Sequence, residues 1–176
     1  MIPKYQARNE RVIIFDPSRQ EQYFQYPEIT LDQVALMKGG VYRIHDCDPR
    51  EFFKVIAESW RKTKEYGGLV ICEDSSNFLT AQKNNDIYGI LIGLRHINVD
   101  LVMITHSIMD TPGYIIRQLN EFVFFKTGDS WKDVADRFPD FVRSIAEAKF
   151  LEVMNHPLQY FCRVLTIHKT GSNHFL

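Results

Sequence analysis

Two adjacent carboxylates placed directly after a wholly apolar run are the sharpest chemical signal in the sequence. Leu69-Val70-Ile71-Cys72 is followed at once by Glu73 and Asp74. Four apolar residues anchor a rigid buried strand, and two acids projected from its end could hold Mg²⁺ and orient a water for attack on phosphate. The alternative at this point is a strand that simply ends in solvated acids. A second apolar run, Leu101-Val102-Met103-Ile104, closes with Thr105-His106-Ser107. Polar residues at the ends of two successive core strands would converge on one site, where His106 could sense a phosphate or the attacking water. An ordinary loop histidine is the alternative. A third cluster, His45-Asp46-Cys47-Asp48, could combine with Glu73, Asp74 and His106 into a metal-dependent nuclease site. Against that stands Asp48 before Pro49, the pattern of a helix N-cap with proline at the first helical position.

The elements that must position these residues follow from hydrophobic period. Arg11-Val-Ile-Ile-Phe15, closed by Asp16-Pro17-Ser18, has the unbroken apolarity of a strand buried on both faces. Residues 41–44 give a second strand, suited to an edge, after the Gly39-Gly40 turn signal. Phe52, Phe53, Val55, Ile56 and Trp60 recur at helical spacing after the Asp48 cap, and Gly67-Gly68 stops that helix before the strand at 69–72. The aromatics of Tyr23-Phe24-Gln25-Tyr26 either pack as core and edge or stack on bases. A helix over 84–98 leads to a strand over 101–106, then a short helix over 114–119 and a strand over 122–126. Two closing helices follow, with N-terminal signals at Ser130 and Asp140, then a last strand near 160–167 and a loose tail over 170–176. Such alternation predicts an α/β fold, a mostly parallel sheet covered by helices, with ligands beyond the carboxyl ends of the strands.

Composition bounds the class. At 176 residues the chain reads as a single domain over 1–176, against roughly 150 residues for a typical domain. Hydrophobic residues at 45% are too many for wholesale disorder. With 21 basic and 22 acidic side chains the net charge is −1, so binding to DNA phosphate needs a local basic surface. Cys47, Cys72 and Cys162 are odd in number and widely spaced, which argues for a reducing, cytoplasmic setting over a disulfide framework or zinc site. No apolar stretch has the length of a signal peptide or a membrane span.

Taken in order, these segments resemble the FtsK/HerA superfamily of P-loop ATPases, which translocate or package DNA. Asp16-Pro17 after an apolar strand, the acids at 73 and 74, Arg95-His96 late in a helix, and Ile104-Thr105-His106-Ser107 carry the resemblance. Residues 115–126 extend it, and it spans 12–127, about two thirds of the chain. The resemblance implies that Glu73 is the metal-side acid of a Walker B strand and Asp74 the water-activating acid. It also implies that Thr105, with Glu73, lies on the nucleotide side, that His106 takes the place of a sensor glutamine, and that Arg95, and more weakly Arg117, stabilises charge. ATP and Mg²⁺ as cofactors, DNA as partner and a homo-oligomer, hexameric in that superfamily, belong to the same implication.

Three departures qualify it. The acids run Glu-Asp where the superfamily prefers Asp-Glu, and histidine replaces the sensor glutamine. No Gly-x-x-x-x-Gly-Lys-Ser/Thr occurs in the 176 residues, so the phosphate-binding Walker A segment is lacking. The expectation is a P-loop NTPase-like fold incomplete at its N-terminus, with Met1 read as an internal methionine of a truncated chain and little ATP affinity in these residues alone. A non-catalytic interaction subunit that keeps the fold is the alternative, and the metal-dependent nuclease the outsider.

Overall fold

The computed structural model describes residues 1–63, 67–79, 89, 93–94, 96 and 98–167. The chain forms two compact units, residues 1–105 and 106–176. The expected helix over 84–98 and the tail over 170–176 fall largely or wholly outside the described residues. Among the described residues no helix is long and apolar enough to cross a membrane.

The first unit is built on four parallel strands, β1 (Arg11–Phe15), β2 (Gly40–Ile44), β3 (Gly68–Cys72) and β4 (Val99–Met103), in the order β2-β1-β3-β4. The two central strands are those with unbroken apolar sequence, and every residue of both is buried. A strand covered on both faces has no polar side to show, which is why periodicity alone marks it. Val12, Ile14, Val41, Leu69 and Ile71 pack on one face with Tyr5 of helix α1 (Ile2–Gln6) and with Tyr23. On the other face Phe15 stacks on Phe52 of helix α2 (Pro49–Thr63), ring centroids 4.5 Å apart. The Asp48 carboxylate accepts from the amides of Arg50 at 2.8 Å and Glu51 at 3.2 Å, so it caps α2 as its sequence predicts.

The connection from β1 to β2 contains two 3₁₀ turns, 21–23 and 31–36, where a parallel crossover more often carries an α-helix. β2 is an edge strand as expected. Its outer side is covered, since the Arg43 amide donates to Pro27 O and the Ile29 amide to Arg43 O, both at 3.0 Å. Arg11, at the head of β1, is buried. Its guanidinium lies 3.8 Å over the Trp60 ring and donates to Val34 O, Met37 O and the Ser59 hydroxyl. These bonds tie β1, α2 and the second 3₁₀ turn together.

The second unit holds helix α3 (Gly113–Ile116), β5 (Glu121–Phe124), α4 (Trp131–Val134), α5 (Asp140–Asn155) and β6 (Arg163–Thr166). Its core gathers Ile116, Phe124, Val134, Phe138, Ala146, Phe150, Val153 and Leu165. The strand expected over 122–126 does not extend the parallel sheet: β5 pairs antiparallel with β6, Val123 opposite Val164. An apolar run of four or five residues specifies burial but not the direction of its neighbour.

Candidate functional site

The ladder of the parallel sheet runs one step past the strands. The Asp16 amide donates to Ile44 O at 2.8 Å, the Glu73 amide to Phe15 O at 2.9 Å and the Ile104 amide to Cys72 O at 2.9 Å. The polar residues that follow β1, β3 and β4 therefore start from one level, at the carboxyl end of the sheet. That is where ligands bind in open α/β sheets.

Three carboxylates sit there, all buried: Asp16 is fully enclosed, Glu73 is 5% exposed and Asp74 8%. Buried charge is tolerated only with partners. Asp16 receives the Gln20 amide on both oxygens at 2.9 Å. Glu73 Oε1 accepts from the Tyr23 hydroxyl. Burial, with the nearby Asp74 charge adding to it, holds the Asp16 carboxyl above the usual aspartate range, against the Gln20 amide, Arg43 and His45. Burial and the bond to Glu73 push the Tyr23 phenol well up, so it stays a protonated donor at all ordinary pH.

Asp74 lies in left-handed backbone, φ 46° and ψ 42°, and opens a 3₁₀ turn over 75–77. Aspartate is among the few L-residues that accept this conformation. The turn is fastened to both neighbouring strands, because the Ser75 hydroxyl donates to Cys72 O at 2.9 Å and the Ser75 amide to Ile104 O at 2.8 Å. Thr105 follows Ile104 directly and is half-buried.

His106 is exposed at the start of the second unit. Its loop is anchored by Asp129, which accepts from the Ser107 hydroxyl at 2.5 Å and the Ile108 amide at 2.7 Å. Arg117 is exposed just after α3, and Arg95 lies outside the described residues. His45 contacts Arg19 through Nε2 and lies 3.4 Å from Glu28 through Nδ1, while Asp48 is engaged as the α2 cap. His45 and Asp48 are thus engaged in loop and helix contacts of their own.

Tyr23 and Asp16 are the members of the site whose part sequence reasoning did not identify. Asp16 carried part of the resemblance as the residue after a strand but was given no role, and Tyr23 was one aromatic among several.

Carboxylate oxygens suit Mg²⁺, which takes one or two protein carboxylates and completes its shell with water and phosphate. Glu73 and Asp74 suit it by the chemistry of their carboxylates, while among the described residues no group of three or more His, Cys, Asp or Glu side chains is placed to hold a metal ion. For the phosphates of ATP the 176 residues offer no Walker A sequence.

No protein-family model and no curated protein matches the chain. Solved structures do. The genome packaging NTPase B204 from Sulfolobus turreted icosahedral virus 2, in complex with AMP, superposes with a TM-score of 0.73 at 18% identity, covering 96% of this chain and 87% of that one. The same NTPase in complex with AMPPCP gives 0.72 at 17% identity, covering 94% and 82%. B204, the DNA-packaging ATPase from Sulfolobus turreted icosahedral virus, gives 0.68 at 16% identity, again covering 94% and 82%. The likeness extends over nearly the whole chain and is one of fold: these residues adopt the P-loop NTPase-like α/β fold of the genome packaging NTPases.

Proposed function

We propose that this chain is part of an ATPase that couples ATP hydrolysis to DNA movement, as in genome packaging, and that it carries the water-activating half of the site. The observation that supports this most is the Glu73-Asp74 pair at the carboxyl end of the central strand β3, in a fold shared with packaging NTPases. In this reading Glu73 is the metal-side acid and Asp74 the general base for the attacking water. Thr105 and His106 face the γ-phosphate, with His106 as sensor, and Arg95 stabilises the transferring charge. Mg²⁺ and ATP are the cofactors, DNA the partner, and a ring of like subunits in the cytoplasm the working form. Bound Mg²⁺ would neutralise phosphate charge, and the protein's own part would be to hold and deprotonate the water.

DNA-stimulated phosphate release by the full protein tests the reading. Loss of a general base costs about 10²- to 10⁴-fold, so Asp74→Asn is expected to fall by that much. Asparagine tolerates left-handed backbone, so this variant leaves the turn intact. Equal rates for Asp74→Asn and wild type would remove Asp74 as the base.

A second reading, a non-catalytic subunit that keeps the fold and contacts a partner ATPase or DNA, draws on the absence of Gly-x-x-x-x-Gly-Lys-Ser/Thr from these residues. Without a phosphate cradle the 176 residues alone are expected to bind Mg-ATP weakly or not at all. Calorimetry showing micromolar affinity would refute that expectation.

A further inference from the structure

We propose that Tyr23 is the positioning residue for Glu73, and that Asp16 acts on the same carboxylate through the turn that carries Tyr23. This rests on the reading of Glu73 as the metal-side acid. The Tyr23 ring belongs to the buried cluster that covers one face of β1, β2 and β3, which restricts its direction. Its hydroxyl reaches 50 residues along the chain to donate to Glu73 Oε1. The turn is anchored in its own right: the Tyr23 amide donates to Gln20 O at 3.0 Å, and the Gln20 amide donates to both Asp16 oxygens. A continuous path therefore runs from Asp16 through Gln20 and Tyr23 to Glu73. It joins the carboxyl ends of two adjacent strands through side chains as well as through the sheet.

A phenol that donates to a carboxylate fixes its rotamer and favours its charged form. Outer partners of this kind govern metal affinity, and their removal typically costs about 10- to 100-fold. Tyr23 would thus keep the Glu73 carboxylate aimed. Nothing in the aromatic segment's composition requires a hydroxyl at this position; phenylalanine would fill the same space.

Mn²⁺ binding to the purified protein, followed by the electron paramagnetic resonance of the free ion at pH 7.5, tests the inference. Glu73→Gln is expected to abolish the site. Tyr23→Phe is expected to weaken it about 10-fold or more, because the carboxylate then loses the donor that holds its rotamer. Unchanged affinity in Tyr23→Phe, with binding still lost in Glu73→Gln, would overturn the role of Tyr23 and leave the metal-side reading standing. Equal binding by wild type and Glu73→Gln would overturn both. Carbon-13 resonance of the tyrosine Cζ atoms gives a check independent of folding in Tyr23→Phe: in Glu73→Gln the Tyr23 signal must shift, since its hydroxyl loses a charged acceptor. A Tyr23 signal indifferent to residue 73 would sink the proposal.

Discussion

The amide of Glu73 donates to the carbonyl of Phe15 at 2.9 Å, one rung beyond the last paired residues of β1 and β3. That bond sets the two strand ends level, so Asp16 and Glu73 leave adjacent strands side by side. Acids so buried lose hydration, and each of these two has a donor built for it. The cost is visible at Asp16, whose carboxyl is held above its ordinary range first by burial.

The sign of a raised carboxyl pKa fixes a pH dependence. An aspartate easier to protonate in the folded chain contributes stability below its unfolded value, about 3.9, and that contribution is lost as pH rises through the folded value. Unfolding by urea is therefore expected to show a drop in stability as pH rises from about 4 toward neutrality. In Asp16→Asn this portion of the curve should flatten. A wild-type curve that rises across that window while Asp16→Asn follows it would contradict the assignment.

Gly68 marks where the helix-to-strand junction admits no side chain. Its φ is +136°, and a Cβ there would lie 2.8 Å from Arg11 O and 2.9 Å from the Trp60 ring. Trp60 is itself held, its indole N–H donating to Gly67 O at 2.9 Å. Gly68→Ala combines backbone strain with overpacking and is expected to cost about 3 kcal/mol. Urea unfolding checks it; a loss below about 1 kcal/mol would show that the junction gives way.

How much of this was legible in the sequence depended on whether a residue's partner was local. β1 and β3 were readable because strands buried on both faces are uniformly apolar, and the acids after Cys72 were readable because they end such a run. The Asp48 cap was readable because its partners are the next two amides. The Tyr23 bond to Glu73 was not: a tyrosine among aromatics reads as packing, and its acceptor lies 50 residues away. Arg11 was equally opaque, since a charged residue heading a strand reads as solvated, yet its guanidinium is buried against Trp60 and two backbone carbonyls. The antiparallel partner of β5 could not be read from the apolarity of residues 122–125 either.

The three cysteines provide a graded probe of burial. The Cys47 thiol is pushed up to about 11, by burial first and then by Glu51, Asp48 and Asp46. Cys72 is fully buried in β3 and Cys162 is exposed. Reactivity follows thiolate content and access. Iodoacetamide at pH 7.5 followed by peptide mapping should label Cys162 first, Cys47 slowly and increasingly at alkaline pH, and Cys72 only on unfolding. Early labelling of Cys72 would mean that β3 opens.

Asp129 gives the opposite pH dependence from Asp16. Burial works against its charge, but the hydrogen bonds around it, chiefly donation from the Ser107 hydroxyl and the Ile108 amide, outweigh that and hold its carboxyl below the ordinary range. A depressed pKa contributes stability above the unfolded value, about 3.9, and that contribution is lost as pH falls through the folded value. Hydrogen bonds to a charged group are worth about 1.5–3 kcal/mol, and asparagine keeps one acceptor oxygen, so Asp129→Asn is expected to cost about 2 kcal/mol at pH 7. The gap to wild type should close between about pH 5 and pH 2. Because these bonds fasten the loop that begins at His106, the variant should also raise amide exchange at Ile108 and Met109. A gap that persists unchanged in acid would mean that the charge of Asp129 is not what holds the loop.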